Sequence, residues 1–213
     1  AKTYQKDGPL LYFGGYSPSA VNLCAEHCDV YLMWPETEEN LRTLMENMSA
    51  KAATYGRKVD FGLRVHMVVR ETEEEAREYA ASIISKLDVE QGVKLREGAL
   101  DAKSYGVSRQ AETRENSDDE GYVEDHLWTG IGKGRSGCGA ALVGNPNQII
   151  KKLNRYMDMG IRSFIFSGYP HKEECERFAK LVLPRLKTFS MPIEQGKITD
   201  EEPLSPLAAG VRT

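Results

Sequence analysis

The chain has 213 residues but only four cysteines, two tryptophans and four histidines, and aromatic residues make up just 8% of it. It contains no apolar run approaching the roughly 18 residues of a membrane span. Its first ten residues, AKTYQKDGPL, hold no apolar segment of the kind that forms the core of a signal peptide. These two absences predict a soluble, cytoplasmic protein with no membrane partner. Cys24, Cys28, Cys138 and Cys175 are too thinly spread for a disulfide framework. Cys24 and Cys28 lie one helical turn apart beside His27, but no second CxxC or HxxxH half accompanies them, so buried thiols explain them better than a metal site. Excess positive charge is also missing: 28 Lys and Arg face 32 Asp and Glu, a net charge of −4, which speaks against nucleic acid as a partner. What is present is 40% apolar and 28% charged residues, enough for a folded core, in a length that suits one domain with appendages.

The order of segments is the strongest signal. LLYFGG (10–15) is an apolar run ending in paired glycines, after which Ser17 can cap a helix that Pro18 begins. DVYLMW (29–34) is a second run, stopped by Pro35. From Thr37 an amphipathic helix places Leu41, Leu44, Met45, Met48, Ala52 and Tyr55 at helical spacing, up to Gly56. DFGLRVHMVV (60–69) is a third run, followed by a Thr72–Glu75 capping box and a helix striped by Ala76, Tyr79, Ala80, Ile83, Ile84 and Leu87. A displaced fourth unit has a helix from Asn145 and Pro146 to Gly160, the strand SFIFSG (163–168), and a helix over about 172–186. Alternating strands and helices predict βαβ units and a parallel sheet. Four such units make half of an eight-fold barrel. Residues 88–143 are expected as an insertion, polar at first and glycine-rich later, of the kind that forms lids or binding loops. The proline-marked residues 188–213 are expected as an extended or disordered tail.

Several residues on this frame could bear chemistry. In the third strand Phe61, Leu63, Val65, Met67 and Val69 alternate with Gly62, Arg64, His66 and Val68, so Arg64 and His66 share the face opposite the large hydrophobes. An inward-facing arginine needs an anionic partner, either a structural carboxylate or a bound anion, and the pattern favours the bound anion. The fourth strand ends in Tyr169-Pro170-His171, at the strand end where barrel enzymes place their active sites. His171 could equally be just the start of the next helix. Residues 130–144, GIGKGRSGCGAALVG, contain a formal GxGxxG but lack the flanking strand and helix of a dinucleotide site. They suit either a loop that folds Lys133 and Arg135 over an anion or a solvated loop. The Gly14-Gly15 turn leading to Ser17 could admit a phosphate at a helix N-terminus, or be a plain turn.

Together these segments resemble the C-terminal half of the two-component, reduced-flavin-dependent alkanesulfonate monooxygenases, in the bacterial-luciferase-like barrel superfamily. The resemblance rests on YFGGYS (12–17), DVYLMW (29–34), KAATYGRKVDFGLRVHMVVRETEEEA (51–76), LWTGIGKGRSGCGAALVG (127–144) and IRSFIFSGYPHKEE (161–174), and spans about residues 8–187. It implies an α/β fold, a partial TIM barrel of four βα units, with residues 1–187 as the C-terminal half-barrel. It also implies a pocket lined by Arg64, His66, Arg135, Tyr169 and His171, with Gly14, Gly15, Tyr16 and Ser17 helping to hold the phosphate of FMN. The implied reaction uses FMNH2 from a separate NAD(P)H-dependent flavin reductase, and oxygen, to cleave the C–S bond of an alkanesulfonate to aldehyde and sulfite. A guanidinium fork suits a tetrahedral sulfonate, and a long lid suits a reaction from which water must be kept. Chains of that family are nearly twice this length. The expectation is therefore a homo-oligomer or a complementing N-terminal half, with the chain alone lacking full activity. An oxygenase for another small organosulfur compound, and a non-catalytic flavin-binding or assembly half-barrel, are the competing readings.

Overall fold

Short apolar runs broken by glycine and proline become strands here, and capped amphipathic stretches become helices. The computed structural model describes residues 7–99, 102–134 and 137–198. In chain order its strands are β1 (Tyr12–Phe13), β2 (Val30–Met33), β3 (Asp60–Val69), β4 (Tyr122–Glu124), β5 (Leu127–Trp128), β6 (Ala141–Gly144) and β7 (Ile161–Ser167). The helices are α1 (Pro18–His27), α2 (Glu38–Ala53), α3 (Glu73–Ile84), α4 (Val89–Glu97), α5 (Tyr105–Glu115), α6 (Pro146–Asp158), α7 (His171–Leu181) and α8 (Met191–Glu194). Residues 11–186 form one compact unit; of a second unit the described residues are 7–10 and 187–198, which contain the single-turn helix α8.

The expected helix starts are present in atomic detail. Ser17 Oγ accepts the Ala20 amide ahead of Pro18, Thr37 Oγ1 accepts that of Asn40, and Thr72 and Glu75 form a reciprocal capping box. Asn145 and Gln148 form a second box at the start of α6. β1, β2, β3 and β7 are parallel neighbours in that order, the α/β half-barrel expected from the alternating units. A parallel sheet needs both faces covered. The odd-numbered β3 residues from Phe61 to Val69 join one core with Cys24, Leu41, Met45, Met48, Ile149, Leu153 and Tyr156 from α1, α2 and α6.

The insertion is more ordered than its polarity suggests. α4 and α5 lead to a β4–β5 hairpin, and β5 pairs antiparallel with β6. β6 in turn pairs parallel with the end of β3, His66 to Val69. The Asp60 amide of β3 donates to the Asp29 carbonyl just before β2, the His66 amide to the Ala140 carbonyl just before β6, and the Arg70 amide, one residue past β3, to the Gly144 carbonyl that ends β6. Even-numbered β3 amides therefore serve both neighbours, and β6 continues the lane that β2 vacates after Met33. α3 does not join the core of α1, α2 and α6. Its Ala76 and Ala80 pack in a second cluster with Val68, Tyr122, Trp128, Ile131, Ala141 and Val143. Against β7 pack α6, where Ile149, Lys152, Leu153 and Tyr156 are buried at 3–4 spacing, and α7, whose Phe178 ring lies 4.8 Å from that of Phe166.

Candidate functional site

Where β1 and β2 end, the chain must turn sharply and leave room. A Cβ at Gly15 would stand 2.8 Å from Ala20 Cβ, and one at Gly14 would stand 3.2 Å from the Leu32 carbonyl oxygen. These glycines let the turn close against α1 and β2. The result is a cleft of about 440 Å³ lined by Gly14, Gly15, Tyr16, Ser17, Leu32, Trp34, Arg64 and the first residues of α5. The glycine turn, Gly14 to Ser17, and the β3 arginine thus line one cleft. Among the described residues no carboxylate pairs with the Arg64 guanidinium. Its backbone carbonyl accepts a hydrogen bond from Cys138 Sγ at 3.3 Å.

Two of these groups are already engaged. Ser17 Oγ caps α1, and the Tyr16 hydroxyl accepts the Trp34 amide at 2.6 Å. Burial drives the Tyr16 phenol well above its ordinary range, with Glu36 adding to the effect and the Trp34 hydrogen bond opposing it. Tyr16 therefore presents a neutral ring to the cleft. The Tyr31 hydroxyl donates to the Gly15 carbonyl at 2.9 Å and fixes the turn from behind.

His66, two positions beyond Arg64, belongs to a different cluster. Its Nδ1 lies 2.7 Å from Ser167 Oγ across the β3–β7 pairing, and its ring is 5.5 Å from that of Tyr169. Tyr169 in turn meets His171 edge-on at 4.9 Å, so the Tyr169 ring stands in contact with those of both His66 and His171. His171 is the first residue of α7, and Pro170 precedes it with no side-chain cap. The corner is braced from outside. Arg70 pairs with Glu174 through two hydrogen bonds of 2.8 and 3.1 Å and stacks over the Tyr79 ring, whose hydroxyl donates to the Tyr169 carbonyl at 2.9 Å. The sequence thus places Arg64 and His66 on one face, but the structure gives them different neighbours. Arg64 faces the Tyr16 cleft and His66 faces the Tyr169 corner. Arg135 lies outside the described residues.

The residues that sequence reasoning missed come from α5. Arg109 forms a bidentate pair with Glu36, at 2.7 and 2.6 Å, and Glu36 is only 1% exposed. Gln110 donates to the Pro35 carbonyl and accepts the Gly139 amide, both at 2.9 Å. These bonds hold α5 to the end of β2 and to the glycine-rich segment. Gly106 is needed for the close fit, since a Cβ there would stand 2.8 Å from Trp34 and 3.1 Å from Tyr16. Only Pro35-Glu36, directly after an apolar run, hinted at this contact in the sequence. Among the described residues no three His, Cys, Asp or Glu side chains gather as a metal would require. Cys24 and Cys28 are buried, and burial, reinforced by Cys28, pushes the Cys24 thiol up to about 12.

Comparison with known proteins bears on this arrangement. The sulfoquinovose monooxygenase of Agrobacterium fabrum is 56% identical over all 213 residues, which cover 55% of that protein. The enzyme of the same name from Novosphingobium aromaticivorans is 55% identical over 178 residues, 84% of this chain and 49% of its own. The chain therefore spans about half the length of the curated relatives it matches. Among solved structures, a riboflavin lyase with modified FMN and riboflavin superposes with a TM-score of 0.62 at 18% identity, over 89% of this chain and 44% of that one, a likeness of fold. The model of the luciferase-like monooxygenases matches residues 2–163, and the chain belongs to that family.

Proposed function

We propose that this chain forms the sulfonate-binding half of a flavin-dependent monooxygenase that cleaves the C–S bond of an organosulfonate, releasing sulfite. The observation on which this rests is the Arg64 guanidinium, without a carboxylate partner among the described residues, in a cleft with an aromatic wall and a glycine turn. A guanidinium fork can grip a sulfonate through two parallel hydrogen bonds. Identity above 50% to two sulfoquinovose monooxygenases supports a sugar sulfonate over a simple alkanesulfonate as the substrate.

The cleft fits a flavin in two respects. Tyr16 and Trp34 offer flat apolar surface, and the turn before α1 offers close backbone approach beside a helix N-terminus without acidic residues in its first turn. FMN, supplied reduced by an NAD(P)H-dependent reductase, would bring the oxygen chemistry. Gly14, Gly15 and Ser17 would hold its phosphate end, and Arg64 would bind and orient the sulfonate. His66 and Tyr169, fixed by Ser167 and by the Arg70–Tyr79 brace, would set the polar rim where charge develops as sulfite departs. α5 would exclude water from the Trp34 side.

The test combines the chain with a polypeptide supplying four further βα units, reduced FMN and oxygen. Sulfite should appear with sulfoquinovose, more slowly with octanesulfonate, and at a small fraction of the rate with the chain alone. Failure of any organosulfonate to yield sulfite, while the mixture still binds reduced FMN, would instead favour the non-catalytic flavin-binding half-barrel.

A further inference from the structure

A second cleft, of about 480 Å³, opens between α4, α5 and the glycine-rich segment. It shares no lining residue with the Arg64 cleft. Among the described residues three cations line it, Arg96, Lys103 and Arg114, against one carboxylate, Glu97. Among the described residues neither arginine pairs with a carboxylate. Arg114 is half-buried, and its Nη1 reaches the carbonyls of Gln110 and Gly132 only at 3.5 Å each, the outer limit of a hydrogen bond. Arg96 Nη1 donates to the Lys133 carbonyl. A guanidinium has five N–H donors, so most of theirs remain available.

The two arginines repel each other, and that repulsion, after burial, disfavours the charged form of Arg114. Both stand in the last turn of their helices, where the helix dipoles offset part of this cost. The glycine-rich wall is built to come close. A Cβ at Gly132 would stand 2.8 Å from the Gly139 carbonyl oxygen and 3.0 Å from Arg114 Nη1, and one at Gly92 would stand 2.7 Å from the Lys133 carbonyl oxygen. Two like charges are thus brought into one cleft with spare donors, and among the described residues only Glu97 in the lining and Glu115 beside Arg114 offset them, a setting that suits an anion with several acceptor oxygens.

We propose that this cleft is a second oxyanion site, taking a tetrahedral phosphate- or sulfonate-type group between Arg96 and Arg114, with Lys103 as a third, exposed contact. The proposal rests on these side chains and not on the reading of the Arg64 cleft.

Calorimetric titration of the chain with inorganic phosphate and inorganic sulfate, in dilute Tris-chloride, tests it. Saturable binding is expected in the natural chain and in Arg64→Gln. Arg114→Gln and Arg96→Gln should each weaken it at least tenfold, and Glu97→Gln should tighten it. Lys103→Gln, at an exposed position, should weaken it several-fold and serves if the arginine variants fail to fold. A phosphate monoester as the natural source would show as competition by FMN in Arg64→Gln; a sulfonate source would show as competition by methanesulfonate instead. Absence of saturable binding, or binding that survives Arg96→Gln and Arg114→Gln but is lost in Arg64→Gln, would overturn the proposal.

Discussion

A buried charge is defined by what faces it, and two arginines in this chain show opposite cases. Arg109 meets Glu36 in a bidentate pair whose carboxylate is almost fully enclosed, so removing the arginine strands a buried charge. Arg109→Ala is expected to cost about 2–3 kcal/mol, below the full value for a buried pair because the arginine itself is 35% exposed. Urea denaturation would measure the loss, and Arg109→Ala with Glu36→Gln should recover part of it. Arg64 is the other case, with no carboxylate to strand among the described residues. Arg64→Gln should leave stability within about 0.5 kcal/mol. It should raise the dissociation constant for a sulfonate by about 1.5–3 kcal/mol, the worth of a charged hydrogen bond. An unchanged sulfonate affinity would remove Arg64 from the proposed role.

At the scale of elements, caps and strand periodicity were legible before any coordinates. The alternation in β3 separates the hydrophobes of the main core from Arg64 and His66, and the Thr72–Glu75 pair starts α3 as the spacing implies. Thr72→Ala should accordingly cost about 1 kcal/mol, read from the shift in thermal midpoint. What sequence could not show is where a capped helix docks. The α3 stripe could have covered the sheet beside α1, α2 and α6, yet Ala76 and Ala80 pack on Val68 at the far end of β3, on β6 and on the insertion. A stripe specifies that a face is buried, not against what. The same limit hid α5. Its contacts to Glu36, Pro35 and Gly139 join residues 29 to 75 positions apart, and no local pattern encodes such pairings. Nor does strand periodicity alone separate Arg64 from His66, because what differs is the neighbour, a glycine turn for one and β7 for the other. Gly106→Val offers a check on the docking of α5. The added side chain would collide with Trp34 and Tyr16, so amide exchange of residues 105–115 should accelerate while that of β3 is unchanged.

For the unit of residues 11–186 as a whole, the hairpin of the insertion is held to the helical layer by ionisable groups, which makes its attachment sensitive to acid. Lys152, fully buried, donates to both Glu38 and Glu124, and the Glu38 amide donates to Glu124 at 3.0 Å. Burial alone would raise the Glu38 pKa, but Lys152 and Arg155 outweigh it and hold the carboxyl below its usual range. His126, at the turn between β4 and β5, is shifted down by burial, against the opposing pull of Glu73 and the Val143 carbonyl. Both shifts have the same sign for stability. A depressed histidine contributes fully above its unfolded value of about 6.5 and loses that contribution as pH falls toward the folded value; a depressed glutamate does the same below about 4.3. Two successive losses are therefore expected on acidification. His126 has a φ of 64°, a left-handed conformation that asparagine tolerates, so His126→Asn removes the titration with little backbone strain. Denaturant midpoints from pH 7.5 to 3.5 should show the decline between pH 7 and 5 flattened in His126→Asn and the decline below about 4.5 flattened in Glu38→Gln. If the natural chain and His126→Asn lose stability in parallel between pH 7 and 5, the hairpin turn is not the acid-sensitive joint.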